Sequence, residues 1–560
     1  MPRTCLTSVL TLSALLLAAC SPEPAPSPTT DMPVATSAIT STSAASTTQP
    51  QSTTTDTGPA PQGTLHVGTT AVLDSLDPAD AVDLPDWEMI LAMAEGLLVR
   101  EPESGELTPG VAAEEPQVSD DGLTYTFRLE SGVRFSDGLE LTAPLYADSV
   151  ERVMTLNGRA SDMVNGFVDR VEAVDDSTLA FHLHRPFAFF PVLLSGAAYV
   201  PTHPDIYSSE QIEPRPPPPL HGVGDWYIAE LDEDQAVLRA NPESQAGPSI
   251  ESVVIHYYAT SEELTAAMTS GDVDLAWRGV GPEMVSALEP MEEVTVATAP
   301  GGVLQFLTLN HQRPPTDDPL VRRAIATVVD RQAVASRILN ESVSPAYSPI
   351  PPGFLGSAGV FRDAYGEPDP AEATELLTEA GYTPEEPAQL ELAYPPERYG
   401  LQVAEAVGEL ERQLESTGLI DVTLTAQAWN TYVGEVVAGS YNAAFLGWVF
   451  DFPDPHNYLA PFLLQGGLGG SGAGPAEEVD PMVALLEEAA VEGDNDLRGA
   501  LYVELQEMYA EDVVTLPLWI DPEAVAYWDH VSADPEGPDP EALNIGADLR
   551  LDYSSLRLDR

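Results

Sequence analysis

The chain of 560 residues contains no lysine. All 23 of its basic residues are arginines, set against 89 acidic ones, and the formal net charge is −66. Such a surface repels nucleic acid phosphates and anionic membranes and excludes binding functions built on basic patches. Two readings of the composition stand side by side. High external salt screens self-repulsion on an acidic surface, and a GC-rich genome also replaces lysine with arginine. Cysteine is nearly absent as well, occurring only as Cys5 and Cys20. Both precede the folded part, which leaves that part without a disulfide or a cysteine metal site. Long apolar runs are lacking beyond the first 19 residues.

Those first residues, MPRTCLTSVLTLSALLLAAC, place Arg3 before an apolar run that ends at Ala19. The run is too short for a spanning helix and reads as a signal peptide. Its end, Leu17-Ala18-Ala19-Cys20, resembles a bacterial lipobox, in which the cysteine is lipidated and becomes the first mature residue. Residues 21–62 are rich in Ser, Thr, Pro and Ala and cannot bury a core. They are expected to be a disordered tether reaching on the order of 100 Å when extended. A lipid-anchored domain on a long leash is suited to capture and delivery.

From Gly63 onward, strand and helix patterns alternate. TLHVGTT alternates as a strand, and DWEMILAMAEGLL has helical spacing. LTYTFRLESGVRFSDG reads as two β-rich runs about a Glu-Ser-Gly turn, and DSTLAFHLHRPF as a strand. DPLVRRAIATVVDRQAVASRIL and GLQVAEAVGELERQLESTGL are amphipathic helices. NDLRGALYVELQEMYAEDVVTLPLWI is a helix followed by a strand. The mixture predicts an α/β protein, and 560 residues predict more than one lobe. EPRPPPPLHG, residues 213–222, reads as a stiff connector between lobes.

Signals of catalysis are weak. Gly467, Gly469 and Gly472 fit G-x-G-x-x-G, but a loop precedes them and Pro475 follows, where a dinucleotide site needs a strand and a helix start. His182 and His184 stand two apart on a strand, with no third ligand nearby, and read as strand surface. No metal, cofactor or enzymatic activity is indicated.

One stretch stands out: GWVFDFPDPHNYLAPF, residues 447–462. It sets Asp451 among aromatic residues, and an enclosed carboxylate needs a cation. Asp454-Pro455 reads as a structural turn.

LTYTFRLESGVRFSDGLELTA resembles the extracellular solute-binding proteins of family 5, the oligopeptide, dipeptide and nickel binders of ABC importers. Tyr125, Phe127, Leu129, Gly132, Val133, Phe135, Asp137, Gly138, Thr142 and Ala143 carry the likeness. The following PLYADSV departs from the family pattern and reads as a small insertion before a helix. TLNHQRPPTDDPLVRRAIATVVDR, DPAEATELLTEAGY and VVTLPLWI are similar to family segments in the same order. In LHGVGDWYI, Gly224 and Tyr227 survive from the usual pattern. Gly447, Trp448, Asp451, Asp454, Pro455 and Asn457 match the family's Gly-Trp-x-x-Asp-x-x-Asp-Pro-x-Asn.

The resemblance implies a class II, cluster C-type periplasmic-binding-protein-like clamp of two lobes. It divides the chain into a signal peptide (1–20), the tether (21–62), a first lobe (63–305) with an extra subdomain at about 103–220, a second lobe (306–500), and a return to the first lobe with a tail (501–560). It implies that Asp451 holds a peptide α-ammonium and that Trp429, 22 residues earlier, and Trp448 lie against the ligand. Arg398 is the candidate for the ligand carboxylate. It also implies a lipid anchor at Cys20 on the outer face of the membrane, a monomer, and delivery to permease subunits with their ATPases, without nucleic acid. Nickel chelates, oligosaccharides and opines are the alternative ligands within the family. An extracellular enzyme or adhesion module is the alternative outside it.

Overall fold

The computed structural model describes residues 62–559, apart from 102–103, 245–246, 340–341, 397, 400–401, 465–475, 534–542, 544 and 546–547. The expected signal peptide, the tether up to residue 61, Cys20 and the glycine run from Gly467 to Gly472 lie outside the described residues.

A mixed sheet of 11 strands runs through the molecule. One half carries Ile420–Ala426, Ala388–Tyr394 and Ala443–Trp448; the other carries Leu275–Trp277, Thr64–Thr69, Ser252–Tyr257, Gln235–Ala240 and Trp226–Leu231. Two long antiparallel strands, Val294–Leu309 and Thr515–Trp528, join the halves. Their register breaks between Ala299 and Val303, where Pro300-Gly301-Gly302 passes Pro522. A Cβ on Gly301 would sit 1.5 Å from the Asp521 carbonyl oxygen, so only glycine fits there. Two lobes thus meet at a pair of strands whose ladder is interrupted here and again between Gln305 and Phe306, and the wider break is where a hinge belongs.

Each half has its own core, because each half-sheet buries its own apolar faces. Leu65, Val67, Leu238, Val253, Trp277 and Tyr527 pack in one; Phe306, Ile325, Leu392, Leu410, Phe445 and Leu516 pack in the other. A third core, with Phe127, Tyr146, Phe181 and Tyr199, fills the subdomain. There the helix Ala143–Leu156 packs on a four-stranded antiparallel sheet.

Several expectations are corrected. Residues 501–520 do not return to the first lobe: Tyr502, Leu505, Tyr509, Leu516 and Leu518 pack in the second-lobe core, and the chain crosses back at Asp521. PLYADSV does not precede the helix but forms its first turns. Thr142 caps the helix by accepting from Leu145 N (3.5 Å), and Pro144 lies in its first turn, where a missing N–H costs nothing. In LTYTFRLESGVRFSDG only Thr124–Arg128 is a strand. The long helix expected over 318–339 breaks at Val329. Asp330 leaves helical geometry and accepts from Ala333 N (2.8 Å) to start a new turn. The proline-rich stretch stays within the first lobe. Leu76 N donates to Pro214 O, Glu213 N to Asp77 Oδ2, and Leu220 pairs with Ile228.

Among the described residues no helix is long and apolar enough to cross a membrane.

Candidate ligand-binding site

The strand Ala443–Trp448 ends at the lobe boundary, and the chain turns through residues 449–454 into the helix Pro455–Leu463. Gly447 is required by close approach, because a Cβ there would lie 2.7 Å from Gln305 Oε1 and 2.8 Å from Tyr399 Cε1. The turn reaches across the boundary. Phe452 stacks on Phe189 (5.2 Å) and meets Phe167 edge-on (5.9 Å), both in the subdomain core. Arg100 of the first lobe donates to Pro453 O (3.1 Å).

The two aspartates of this turn have opposite fates. Asp454 caps the helix, accepting from His456 N (2.9 Å), and is buried against Arg498, whose Nη1 and Nη2 donate to it at 2.9 and 2.7 Å. Its charge is matched inside the protein. Asp451 has no such partner. Its backbone N–H donates to Asn457 Oδ1 (2.7 Å), and Asn457 Nδ2 donates to its carboxylate (3.2 Å). Among the described residues no guanidinium or imidazole pairs with it. Burial pushes its carboxyl up to about 6, partly offset by the Asn457 hydrogen bond. It lines a cavity of about 40 Å³ with Trp87, Leu91, Tyr199, Phe450, Phe452 and Arg550. Arg550 itself is engaged by Asp548. That space admits a few waters or a group of ammonium size, at roughly 10–15 Å³ per water.

Trp448 is not among the residues lining this cavity. Its Nε1 donates to Asn457 O (3.1 Å), and its ring meets Phe462 edge-on (5.7 Å). Trp448 thereby supports Asn457, which in turn holds Asp451.

Arg398 and Trp429 form a second group. The Arg398 guanidinium lies over the Trp429 ring at 4.6 Å, and Tyr399 meets that ring edge-on at 5.8 Å. Arg398 is exposed and pairs with no carboxylate among the described residues. The first lobe connects the two groups through the helix Leu84–Met93. Asp83, at its N-cap, feels Arg398: desolvation raises its carboxyl, while Arg159 and Arg398 pull it down. Trp87, one turn on, reaches the Asp451 cavity and donates its backbone N–H to Asp83 O (3.0 Å). The site therefore pairs an unmatched carboxylate with an unmatched guanidinium, both on second-lobe loops and both facing one first-lobe helix. This arrangement suits a zwitterion.

Sequence reasoning did not single out Trp87, Asp83 or the brace role of Asn457. DWEMILAMAEGLL was read as a helix, but nothing in its spacing shows what its N-terminus faces. His182 and His184 contact different carboxylates, Glu172 (3.4 Å) and Asp169 (3.8 Å).

Asp451, Asp521 (about 6), Asp86 (about 7) and Glu95 (about 7) are all raised by burial above their ordinary values of 3.8 or 4.5. Between about pH 4.5 and 7 these carboxyls hold protons in the folded protein that the unfolded chain has released, so their contribution to stability falls as pH rises, whereas His311 (about 3) and His456 (about 4), lowered by burial from 6.5, work the other way because the unfolded chain binds their protons. The lowered carboxyls, such as Asp80 and Glu409, are ionised in both states over this window. Chemical denaturation without ligand isolates the carboxyl contribution by variant: Asp86→Asn should reduce the midpoint at pH 5.5 relative to that at pH 7.5, compared with wild type. An unchanged difference would show that Asp86 is not buried as described.

The family model for bacterial extracellular solute-binding proteins, family 5 (middle region), matches residues 106–470. A periplasmic murein peptide-binding protein, MppA, of Escherichia coli (strain K12) is 28% identical over 409 residues, covering 69% of this chain and 75% of that protein. Di/tripeptide-binding protein 2 of Pseudomonas aeruginosa (strain UCBPP-PA14) is 27% identical over 491 residues, covering 81% of this chain and 89% of that protein. The 2.2 Å crystal structure of the ABC transporter substrate binding protein CtaP from Listeria monocytogenes matches with a TM-score of 0.76 at 22% identity, covering 89% of this chain and 100% of that chain.

Proposed function

The chain belongs to family 5 of the bacterial extracellular solute-binding proteins, and from that membership we propose that it captures short peptides outside the cytoplasm and delivers them to the permease of an ABC importer. The observation that carries this reading is Asp451, a half-buried carboxylate that accepts a hydrogen bond from Asn457 and, among the described residues, forms no ion pair, the Arg550 that shares its cavity being engaged by Asp548. A peptide α-ammonium of matching size supplies the missing charge. Arg398, stacked on Trp429, takes the C-terminal carboxylate, because guanidinium binds carboxylates through two parallel hydrogen bonds. Binding draws the lobes together about the broken ladder at Pro300–Gly302 and Asp521-Pro522, and the protein acts by sequestration without turnover.

The names of the relatives support peptide as the ligand class, since one is called murein peptide-binding and another di/tripeptide-binding. The test is a calorimetric titration with a tripeptide and its N-acetylated form. The free peptide should bind saturably and the acetylated one far more weakly. Equal binding of the two would remove the ammonium from the account.

The protein works as a monomer held to the outer face of the membrane by diacylglycerol on Cys20, with residues 21–62 as the leash. The lipobox-like Leu17-Ala18-Ala19-Cys20 supports this reading. Cys20→Ala should move the protein from the membrane fraction to the medium. A variant that still sediments with membranes would rule the anchor out.

A further inference from the structure

Asp521 is the residue at which the chain crosses from the second lobe back to the first. Its side chain is half-buried and lines a cavity of about 760 Å³. The walls come from both lobes: Val280, Glu283, Val285 and Thr298 on one side, Tyr399, Gln402 and Trp519 on the other. A volume of this size is in the range of small-molecule sites and far exceeds that of an ion. Among the described residues the lining includes two carboxylates, Asp521 and Glu283, and no arginine or histidine.

The carboxylate is held but not neutralised. Gln305 Nε2 donates to Oδ2 (2.7 Å) and Trp519 Nε1 to Oδ1 (3.1 Å). Among the described residues it pairs with no cation. A carboxylate has about four acceptor positions, so about two stay open, the number a guanidinium fork requires. A further acceptor is close by, because the buried Gln305 Oε1 has no hydrogen-bond partner. The aromatic rings of Trp519 and Tyr399 line the same space and favour a cation over a neutral group. Tyr399 also ties the cavity to the proposed peptide site, since it follows Arg398 in sequence and packs on Trp429.

We infer that this cavity is a specificity pocket for a cationic side chain of the bound peptide, with Asp521 as its counter-charge. The inference rests on the peptide reading and narrows it: the ligands are peptides carrying arginine or lysine at one fixed position. Placing that counter-charge at the crossing strand couples ligand choice to lobe closure, because the pocket has walls from both lobes.

The test uses tripeptides of alanine with arginine, or its neutral isostere citrulline, at each of the three positions. Each is titrated calorimetrically into wild type, Asp521→Asn and Asp521→Glu. Wild type should prefer arginine to citrulline by about 10- to 100-fold at one position. Asp521→Asn should reduce that ratio to near one, and Asp521→Glu should retain part of it. Because the ratio is taken within each variant, a general loss of affinity does not imitate the result. The wild-type ratio stands alone should a variant fail to fold. Peptide binding without an arginine preference in wild type, or a preference that survives in Asp521→Asn, overturns the pocket and leaves the peptide reading standing. Failure of wild type to bind any of these peptides overturns the peptide reading, and the pocket falls with it.

Discussion

Asp451→Asn is expected to weaken peptide binding by about 30- to several-thousand-fold, or roughly 2–5 kcal/mol. Asparagine keeps the size and shape of the side chain, and its Oδ1 can still accept from Asn457 Nδ2 as the carboxylate does. Only the charge is lost, and the ligand ammonium is then enclosed without a counter-ion. Without ligand the same substitution should cost nothing. Burial already pushes the Asp451 carboxyl up to about 6, so the ionised form is a burden at pH 7, and the variant should melt at the wild-type temperature or above it. Lost affinity with retained stability distinguishes a ligand contact from a structural carboxylate. An N-acetylated peptide should bind wild type poorly for the same reason, and Asp451→Asn should discriminate little between free and acetylated forms, because both changes remove one interaction. Calorimetry on the four combinations measures the coupling. A variant that binds free peptide as tightly as wild type makes Asp451 a loop residue.

The second large effect is expected three residues away and has the opposite character. Asp454 and Arg498 have side chains only 4% and 6% exposed, so removing either partner leaves the other charge buried alone. Arg498→Met should destabilise the fold by about 3–5 kcal/mol. Arg498 also donates to Ala489 O (3.0 Å) and Tyr502 Oη (2.9 Å), so the change releases the packing of two helices as well as the charge. Adding Asp454→Asn should recover part of the loss, since the stranded carboxylate is then gone. Urea denaturation of the single and double variants measures this. A loss under about 1 kcal/mol for Arg498→Met would mean that the pair is solvated. The two aspartates of one loop thus differ: the charge of Asp454 is satisfied by the protein and holds the loop, whereas Asp451 forms no ion pair among the described residues.

That division was only half legible in the sequence. The spacing of Gly447, Trp448, Asp451, Asp454, Pro455 and Asn457 pointed to Asp451 because local patterns survive as patterns. Asp454 read as a turn residue because its partner stands 44 residues later in the chain, and no local rule connects them. The strand at Thr64–Thr69 and the helix at Val403–Glu415 were readable from hydrophobic period alone. The break at Val329 was not, because one aspartate that prefers to cap outweighed an amphipathic pattern that continued through it. The crossing at Asp521 was invisible for another reason. Thr515–Trp528 is one continuous strand, and what divides it between two cores is the chain it pairs with. The support that Trp448 gives Asn457 was not legible either, since no local pattern announces a bond from its Nε1 to Asn457 O.

Mass spectrometry of the small molecules released from protein purified without denaturation tests the central claim most directly. Peptides with free amino termini should be found in near-stoichiometric amount from wild type and be lost from Asp451→Asn. A sugar, an opine or a metal chelate in that fraction, retained equally by the variant, would contradict it.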